Sequence, residues 1–146
     1  MNANCEIIYL LKNNFLQAQI SNLGCKFLSV RDQRDYEYLW WGDDQFWSGR
    51  SFHIFPYVGR LTDNKFIYRS NEYLMGIHGI LSKNYFEATH CSKNSLEMRL
   101  IRSKPILFSY PFQFDFKVKV ALIDNKIEIK YRVENIGKDT DRKSVV

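Results

Sequence analysis

The sequence lacks any apolar run near the roughly 20 residues that a membrane-spanning helix needs, so we expect no membrane partner. Its first residues also lack the basic flank and the small-residue cleavage site of a signal peptide. It has only three cysteines, Cys5, Cys25 and Cys91, and no two of them form a C-x-x-C pair. We therefore expect reduced, partly buried thiols in a cytoplasmic protein, and neither a disulfide framework nor a zinc site.

The sequence also lacks several short motifs that carry chemistry. It contains no G-x-S-x-G, no G-x-G-x-x-G and no phosphate-binding P-loop. A metal site would need tightly spaced ligands, and the adjacent His90 and Cys91 would point to opposite faces of a strand. We expect no metal and no cofactor. A nucleophilic Cys–His pair stays open, although nothing singles one out.

Positive charge is in mild excess and is not concentrated in one segment. Lysine and arginine total 21 against 16 aspartate and glutamate, which gives a net charge of +5. The lysines are spread along the whole chain among acidic and apolar residues. Because nucleic-acid-binding proteins gather such charge on one face, we disfavour a basic nucleic-acid-binding β-barrel and expect no nucleic-acid partner.

Aromatic residues make up 16% of the chain. In its later part, apolar residues recur at every second position. From Phe112 to Leu122 every second residue is apolar, which predicts a long strand with one dry face. Asp124-Asn125 then predicts a turn, and the segment from Ile127 to Val133 alternates again. The two segments predict an antiparallel hairpin.

Shorter strands are predicted earlier in the chain, at Leu16–Ile20, Leu28–Val30 and Leu96–Leu100, with a turn at Asn22-Leu23-Gly24. No window has a convincing helical stripe. The 146 residues fit one domain. The predicted fold class is therefore all-β, an antiparallel β-sandwich or barrel.

Two irregular segments suit a binding surface more than a plain core. Trp40–Trp47 is rich in large aromatics, and Phe52–Leu61 contains a proline and a glycine that interrupt any central strand. His78 lies between glycines that open space around its imidazole, and the alternative is a turn histidine bonded to backbone. Arg60 ends the second segment, and its alternative is a surface or ion-paired arginine.

Together these segments resemble the aldose 1-epimerase (galactose mutarotase) family, in particular a bacterial subgroup called LacX-like. Five motifs agree in order and spacing from about Ile20 to Asn135: the turn Leu23-Gly24-Cys25 with cysteine where alanine is usual, the loop Tyr38–Asp43, the arginine segment Arg50–Leu61, the pair His78-Gly79 and the strand entry Tyr110–Phe114. Any one of these motifs would be weak, whereas the five together are specific.

The resemblance implies a large antiparallel β-sandwich, the galactose mutarotase-like supersandwich, with a sugar cleft on one sheet. It also implies a reaction that interconverts the α and β anomers of a free aldose. A base removes the proton of the anomeric hydroxyl, an acid protonates the ring oxygen, and the ring opens and recloses. By resemblance, Arg60 and His78 bind the substrate, and His78 is also the one catalytic candidate.

The last part of the sequence departs from the family pattern. The family's second histidine, a general acid, and its late glutamate, a general base, have no counterpart, and Ile80–Lys83 stands where an arginine is usual. We therefore expect an amino-terminal fragment, with residues 1–135 forming part of one truncated sandwich and residues 136–146 a polar tail foreign to the family. We also expect the dry face of Phe112–Leu122 to stay uncovered, with marginal stability.

The predicted function is an aldose 1-epimerase-like protein that is inactive or weak by itself. Its predicted partner is a small-molecule sugar, a hexose with or without a phosphate. The alternative is a non-catalytic carbohydrate-binding β-sandwich module that uses Arg60, His78 and the Trp40–Trp47 aromatics as one sugar platform.

Overall fold

The computed structural model describes residues 5–138, and antiparallel strands dominate this range. The elements follow one another as β1 (Ile8–Lys12), β2 (Leu16–Ser21), β3 (Phe27–Asp32), β4 (Lys65–Tyr68), β5 (Asn71–Leu74), β6 (Phe86–Cys91), β7 (Ser95–Leu100), α1 (Lys104–Ser109), β8 (Phe114–Ile123) and β9 (Lys126–Asn135). Two 3-10 turns lie at Thr62–Asn64 and Leu81–Lys83. The predicted all-β class is confirmed.

The strands form three antiparallel sheets, in the orders β1-β2-β3, β4-β5 and β6-β7-β8-β9. The predicted hairpin is β8–β9, whose register runs from Phe114 opposite Asn135 to Ile123 opposite Lys126. Asp124 in its turn has a left-handed φ of 51°, a conformation that aspartate tolerates better than most residues.

The core lies between the first and the third sheet. Ala18 and Ile20 of β2 belong to the same buried cluster as the inward side chains of β8, which are at most 3% exposed: Phe114, Phe116, Val118, Val120 and Leu122. The expectation that this β8 face stays uncovered is therefore wrong. The chain's own first sheet and the Phe55 ring cover it, and each large side chain so buried contributes about 1.5–3 kcal/mol.

Uncovered apolar surface lies instead on β9, one of the two edge strands of the third sheet. Tyr131 pairs with Val118, and Ile129 pairs with Val120, so each pair points to the same side of the sheet. Val118 and Val120 are fully buried, whereas Tyr131 is 54% exposed and Ile129 is 37% exposed. The first sheet and the Phe55 ring therefore cover β8 but leave much of β9 exposed.

The helix α1 was not predicted. It spans six residues, which is too few to display an apolar stripe of helical period. Pro105 lies in its first turn, where a missing N–H costs nothing, and Ile106 is its buried residue. Within residues 5–138, no helix has the length and apolar character required to cross a membrane. Most of the predicted tail, residues 139–146, lies outside the described residues.

Glu37 lies in the segment that follows β3, and its side chain binds back to that strand. Its carboxylate accepts hydrogen bonds from the Ser29 hydroxyl at 2.5 Å, the Val30 N–H at 2.8 Å and the Leu39 N–H at 3.0 Å. It also pairs with the Arg31 guanidinium at 3.2 Å. Burial opposes the charge, but these bonds outweigh it and lower the pKa of Glu37 from 4.5 to about 2.

Glu37 should therefore contribute stability that depends on pH. Because its pKa is lower in the folded state, this contribution is complete above pH 4.5 and disappears as the pH falls towards about 2. We expect Glu37→Gln to unfold at a lower urea concentration than the wild type near neutral pH. The difference between the two urea midpoints should become smaller at about pH 3. Glu128→Gln, which alters a surface pair with Lys130, is the control. A difference that does not change with pH would contradict this assignment.

Candidate functional site

The segment that carries Arg60 is anchored to the core by Phe55. This side chain is 6% exposed, and its ring centroid lies 5.3 Å from that of Phe114 and 5.1 Å from that of Phe116. The peptide bond to Pro56 is cis. The buried ring therefore fixes where the following residues, including Arg60, leave the sandwich.

The turn that carries His78 docks onto this segment through backbone bonds. The Ile80 N–H donates to the Phe55 carbonyl at 2.8 Å, and Phe55 and Gly79 form a parallel bridge. Gly79 has a φ of 80°, and a Cβ atom there would overlap the Phe55 carbonyl. Only glycine combines this backbone conformation with this close approach.

His78 and Gly59 bind each other reciprocally. The His78 N–H donates to the Gly59 carbonyl at 2.8 Å, and the Gly59 N–H donates to His78 Nδ1 at 3.1 Å. Because Nδ1 accepts, the neutral imidazole carries its proton on Nε2. The half-buried His78 is thus a turn histidine bonded to backbone through one ring nitrogen, and its Nε2–H has no hydrogen-bond partner within residues 5–138. Its role in binding a ligand stays a prediction.

Arg60 directly follows Gly59 and is exposed. Its Nη1 donates to the Asn64 side-chain oxygen at 3.2 Å, and no carboxylate within residues 5–138 forms an ion pair with it. The Tyr57 hydroxyl, which donates to the Gly76 carbonyl at 2.5 Å, has a pKa raised by burial, while the Arg60 charge acts in the opposite direction. Arg60 is thus linked to the His78 turn through its neighbour Gly59, which is bonded to His78.

The structure thus places the segment that carries Arg60 in contact with the turn that carries His78. That both side chains contact one sugar stays a prediction. Trp41 lines a hollow whose lining includes neither Arg60 nor His78. That the Trp40–Trp47 aromatics form one sugar platform with Arg60 and His78 stays a prediction.

His53 plays a structural part that the sequence did not reveal. Its Nε2 donates to the Cys25 carbonyl at 2.8 Å, so its Nδ1 accepts from the Tyr131 hydroxyl at 2.6 Å. Burial lowers the pKa of His53, which favours this neutral form. Because Tyr131 is 78 residues away in sequence, no local pattern could have indicated the pair.

The cysteines are all free, and burial raises the pKa of the Cys25 thiol to about 12, which makes it unreactive. Cys5 and Cys91 are exposed. Within the described part of the chain, no group of three histidine, cysteine or carboxylate side chains is placed to hold a metal ion.

Comparison with known proteins gives consistent matches. The family model for aldose 1-epimerase matches residues 8–142. The plasmid-encoded protein LacX of Lactococcus lactis subsp. lactis is 30% identical over 131 residues, which cover 86% of this chain and 44% of LacX.

Solved structures agree with this match. A galactose mutarotase related enzyme from Lactobacillus acidophilus superimposes with a TM-score of 0.84 at 30% identity, covering 87% of this chain and 43% of that one. A galactose mutarotase-like protein from Lactobacillus casei ATCC 334 has the same fold, with a TM-score of 0.84 at 24% identity and coverage of 88% and 44%. The chain thus spans less than half the length of these relatives. The family match over most of its residues shows that the chain belongs to the aldose 1-epimerase family.

Proposed function

We propose that this chain provides the sugar-binding part of an aldose 1-epimerase, in which Arg60 and His78 bind a free hexose. The supporting observation is the reciprocal bonding of His78 and Gly59, which holds an imidazole with a free Nε2–H beside the residue that precedes Arg60. A forked guanidinium and an imidazole donor suit the adjacent hydroxyls of a sugar ring. The family membership supports a sugar as the ligand.

The proposed reaction exchanges the α and β anomers of the sugar. A base takes the proton of the anomeric hydroxyl, and the electron pair forms the aldehyde as the bond from C1 to the ring oxygen breaks. The ring oxygen receives a proton from an acid, the aldehyde rotates, and the reverse steps close the ring on its other face. In this scheme Arg60 orients the sugar hydroxyls, and His78 Nε2–H donates to the bound sugar.

We propose that this chain by itself binds the sugar but accelerates the exchange of its anomers only weakly. The second histidine and the late glutamate implied by the family resemblance have no counterpart in its sequence. Each general acid or base contributes about 10²–10⁴-fold to a rate, so their absence removes most of the acceleration. The proposal includes a cytoplasmic location, supported by the three free cysteines.

The test combines sugar binding with a rate measurement. We expect saturation-transfer NMR to detect galactose or glucose bound to the wild-type chain, and expect His78→Ala and Arg60→Ala each to weaken binding about tenfold, as befits loss of one hydrogen-bonding group. His90→Ala and Arg34→Ala, at exposed positions elsewhere, are matched controls. Polarimetry of fresh α-galactose should show mutarotation close to that of buffer.

Two results would count against the proposal. Equal sugar binding by wild type, His78→Ala and Arg60→Ala would separate these residues from the site. Mutarotation far above buffer that disappears in His78→Ala would show that the chain is catalytically complete.

A further inference from the structure

A second hollow of about 440 Å³ lies on the outer face of the first sheet. Its floor consists of paired residues of β2 and β3: Gln17 opposite Arg31, and Gln19 opposite Ser29. The intervening Ala18 and Val30 are buried in the core. Because successive side chains of a strand point to opposite faces, these four residues face away from the core.

The wall of the hollow comes from the loop that contains Trp41 and Arg50. This loop is held in shape by its own bonds: the Trp40 indole N–H donates to the Trp47 carbonyl at 2.8 Å, and the Trp47 N–H donates to the Asp43 carbonyl at 2.7 Å. Gly42 has a φ of 80°, and a Cβ atom there would lie 2.8 Å from the Ser48 carbonyl oxygen, so only glycine fits at this point of the loop. The hollow is therefore preformed.

The polar groups that line the hollow have spare hydrogen-bonding capacity. Arg50 donates to the Leu28 carbonyl at 3.3 Å, and no carboxylate of residues 5–138 pairs with it. The side-chain amides of Gln17 and Gln19 have no hydrogen-bond partner among those same residues. Glu37, by contrast, is fully engaged with its four donors.

Two arginines, Arg31 and Arg50, and one carboxylate, Glu37, line the hollow, so its lining carries an excess of one positive charge. Glu37 forms an ion pair with Arg31 at 3.2 Å, as does Asp35, which lies outside the lining, at 2.9 Å. Arg50 has no such ion pair within residues 5–138 and is half-buried, so its attraction for an anion is screened less than that of a surface residue. An anionic group is the natural partner of a guanidinium that presents a fork of donors.

The remaining feature is a flat aromatic surface. Trp41 stacks on Trp40 with ring centroids 5.5 Å apart and an angle of 18°, while 65% of Trp41 stays exposed. An indole face that is supported from behind gives a rigid apolar surface for a ring that carries C–H groups on one side. Amides that both donate and accept, beside such a face, suit the hydroxyls of that ring.

We propose that this hollow is a second ligand site, which binds a pyranose sugar bearing one anionic group. The sugar ring lies on Trp41, its hydroxyls bond to Gln17 and Gln19, and its carboxylate or phosphate ester pairs with Arg50. Its volume falls within the usual range of small-molecule pockets, about 300–1,000 Å³. The site goes beyond the proposed epimerase function, since it contains neither Arg60 nor His78.

Tryptophan fluorescence gives a direct test, because the only three tryptophans of the chain, Trp40, Trp41 and Trp47, all lie in this loop. Galacturonate and galactose 6-phosphate are titrated into the full chain, with neutral galactose as the uncharged comparison. We expect saturable quenching by one or both anionic sugars, and at least tenfold weaker binding of galactose. Comparison of the galacturonate and galactose 6-phosphate titrations identifies whether the site binds a carboxylate or a phosphate ester.

Variants locate the ligand. We expect Arg50→Gln and Gln19→Ala each to weaken anionic-sugar binding at least tenfold, whereas Arg34→Gln and His78→Ala leave it unchanged. Gln19 faces outward, so its variant folds even if Arg50→Gln does not. No quenching by either anionic sugar, unchanged binding in Gln19→Ala, or equal binding of galactose would each overturn the proposal. Loss of quenching in His78→Ala would also overturn it and would move the anionic sugar to the proposed epimerase site.

Discussion

Replacing Phe55 with alanine is expected to lower the free energy of unfolding by about 3–5 kcal/mol. The Phe55 ring is 6% exposed and packs against Tyr110, Phe114 and Phe116 at centroid distances of 5.1 to 5.6 Å. Its removal leaves a cavity at the centre of the sandwich and loosens the segment that leads to Arg60. Against a typical total of about 5–15 kcal/mol, this loss is large.

Urea unfolding followed by circular dichroism measures the loss. Phe108→Ala makes the same chemical change at a side chain that is 77% exposed, and should shift the free energy by no more than about 0.5 kcal/mol. Similar midpoints for the two variants would show that Phe55 is not the anchor described here. Sugar binding by the folded fraction of Phe55→Ala should also weaken, because the Arg60 loop has lost its fixed exit from the core.

Gly79→Ala is expected to destabilise the protein by at least about 2 kcal/mol. A left-handed φ costs a non-glycine residue roughly 1–2 kcal/mol, and the added methyl group would also overlap the Phe55 carbonyl. The bridge between Phe55 and Gly79 would have to open, which would displace His78 from Gly59.

The same turn offers a matched control. At Gly76 a Cβ atom would meet nothing within 4 Å, and its φ lies outside the left-handed region. Gly76→Ala should therefore change the urea midpoint little, or raise it slightly through the unfolded state. Equal destabilisation by the two variants would refute the steric role of Gly79. The amide resonance of Gly59, observed by NMR, should shift in Gly79→Ala and stay in place in Gly76→Ala.

The sequence predicted the strands that have one buried face and one solvent-exposed face. The hairpin β8–β9 was predicted because β8 alternates strictly and Asp124-Asn125 is a strong turn signal. The strand β6 was not predicted, since it is an edge strand whose residues after Phe86 are all exposed and so need no alternation. The hairpin β4–β5 turns at Arg69 and Ser70, both with positive φ, and neither residue type indicates such a turn.

The candidate site was predicted less completely than the fold. Arg60 and His78 were selected because the segments that carry them resemble family motifs, whereas the residues alone favoured a turn histidine and a surface arginine. The acceptor role of His78 Nδ1 depends on Gly59, which lies 19 residues earlier, and only the tertiary structure reveals it. The same limit applies to the hollow above β2 and β3, because Arg50 and Gln19 line one hollow only when the aromatic loop folds back over the sheet.

The bond between His53 and Tyr131 has a mechanical consequence. His53 lies two residues before Phe55, and Tyr131 lies on the exposed edge strand β9. If β9 peels away, the imidazole loses this bond, whose net contribution to stability is about 0.5–1.5 kcal/mol. Fraying of the last strand is thereby opposed by a bond to the segment that leads through Phe55 to Arg60.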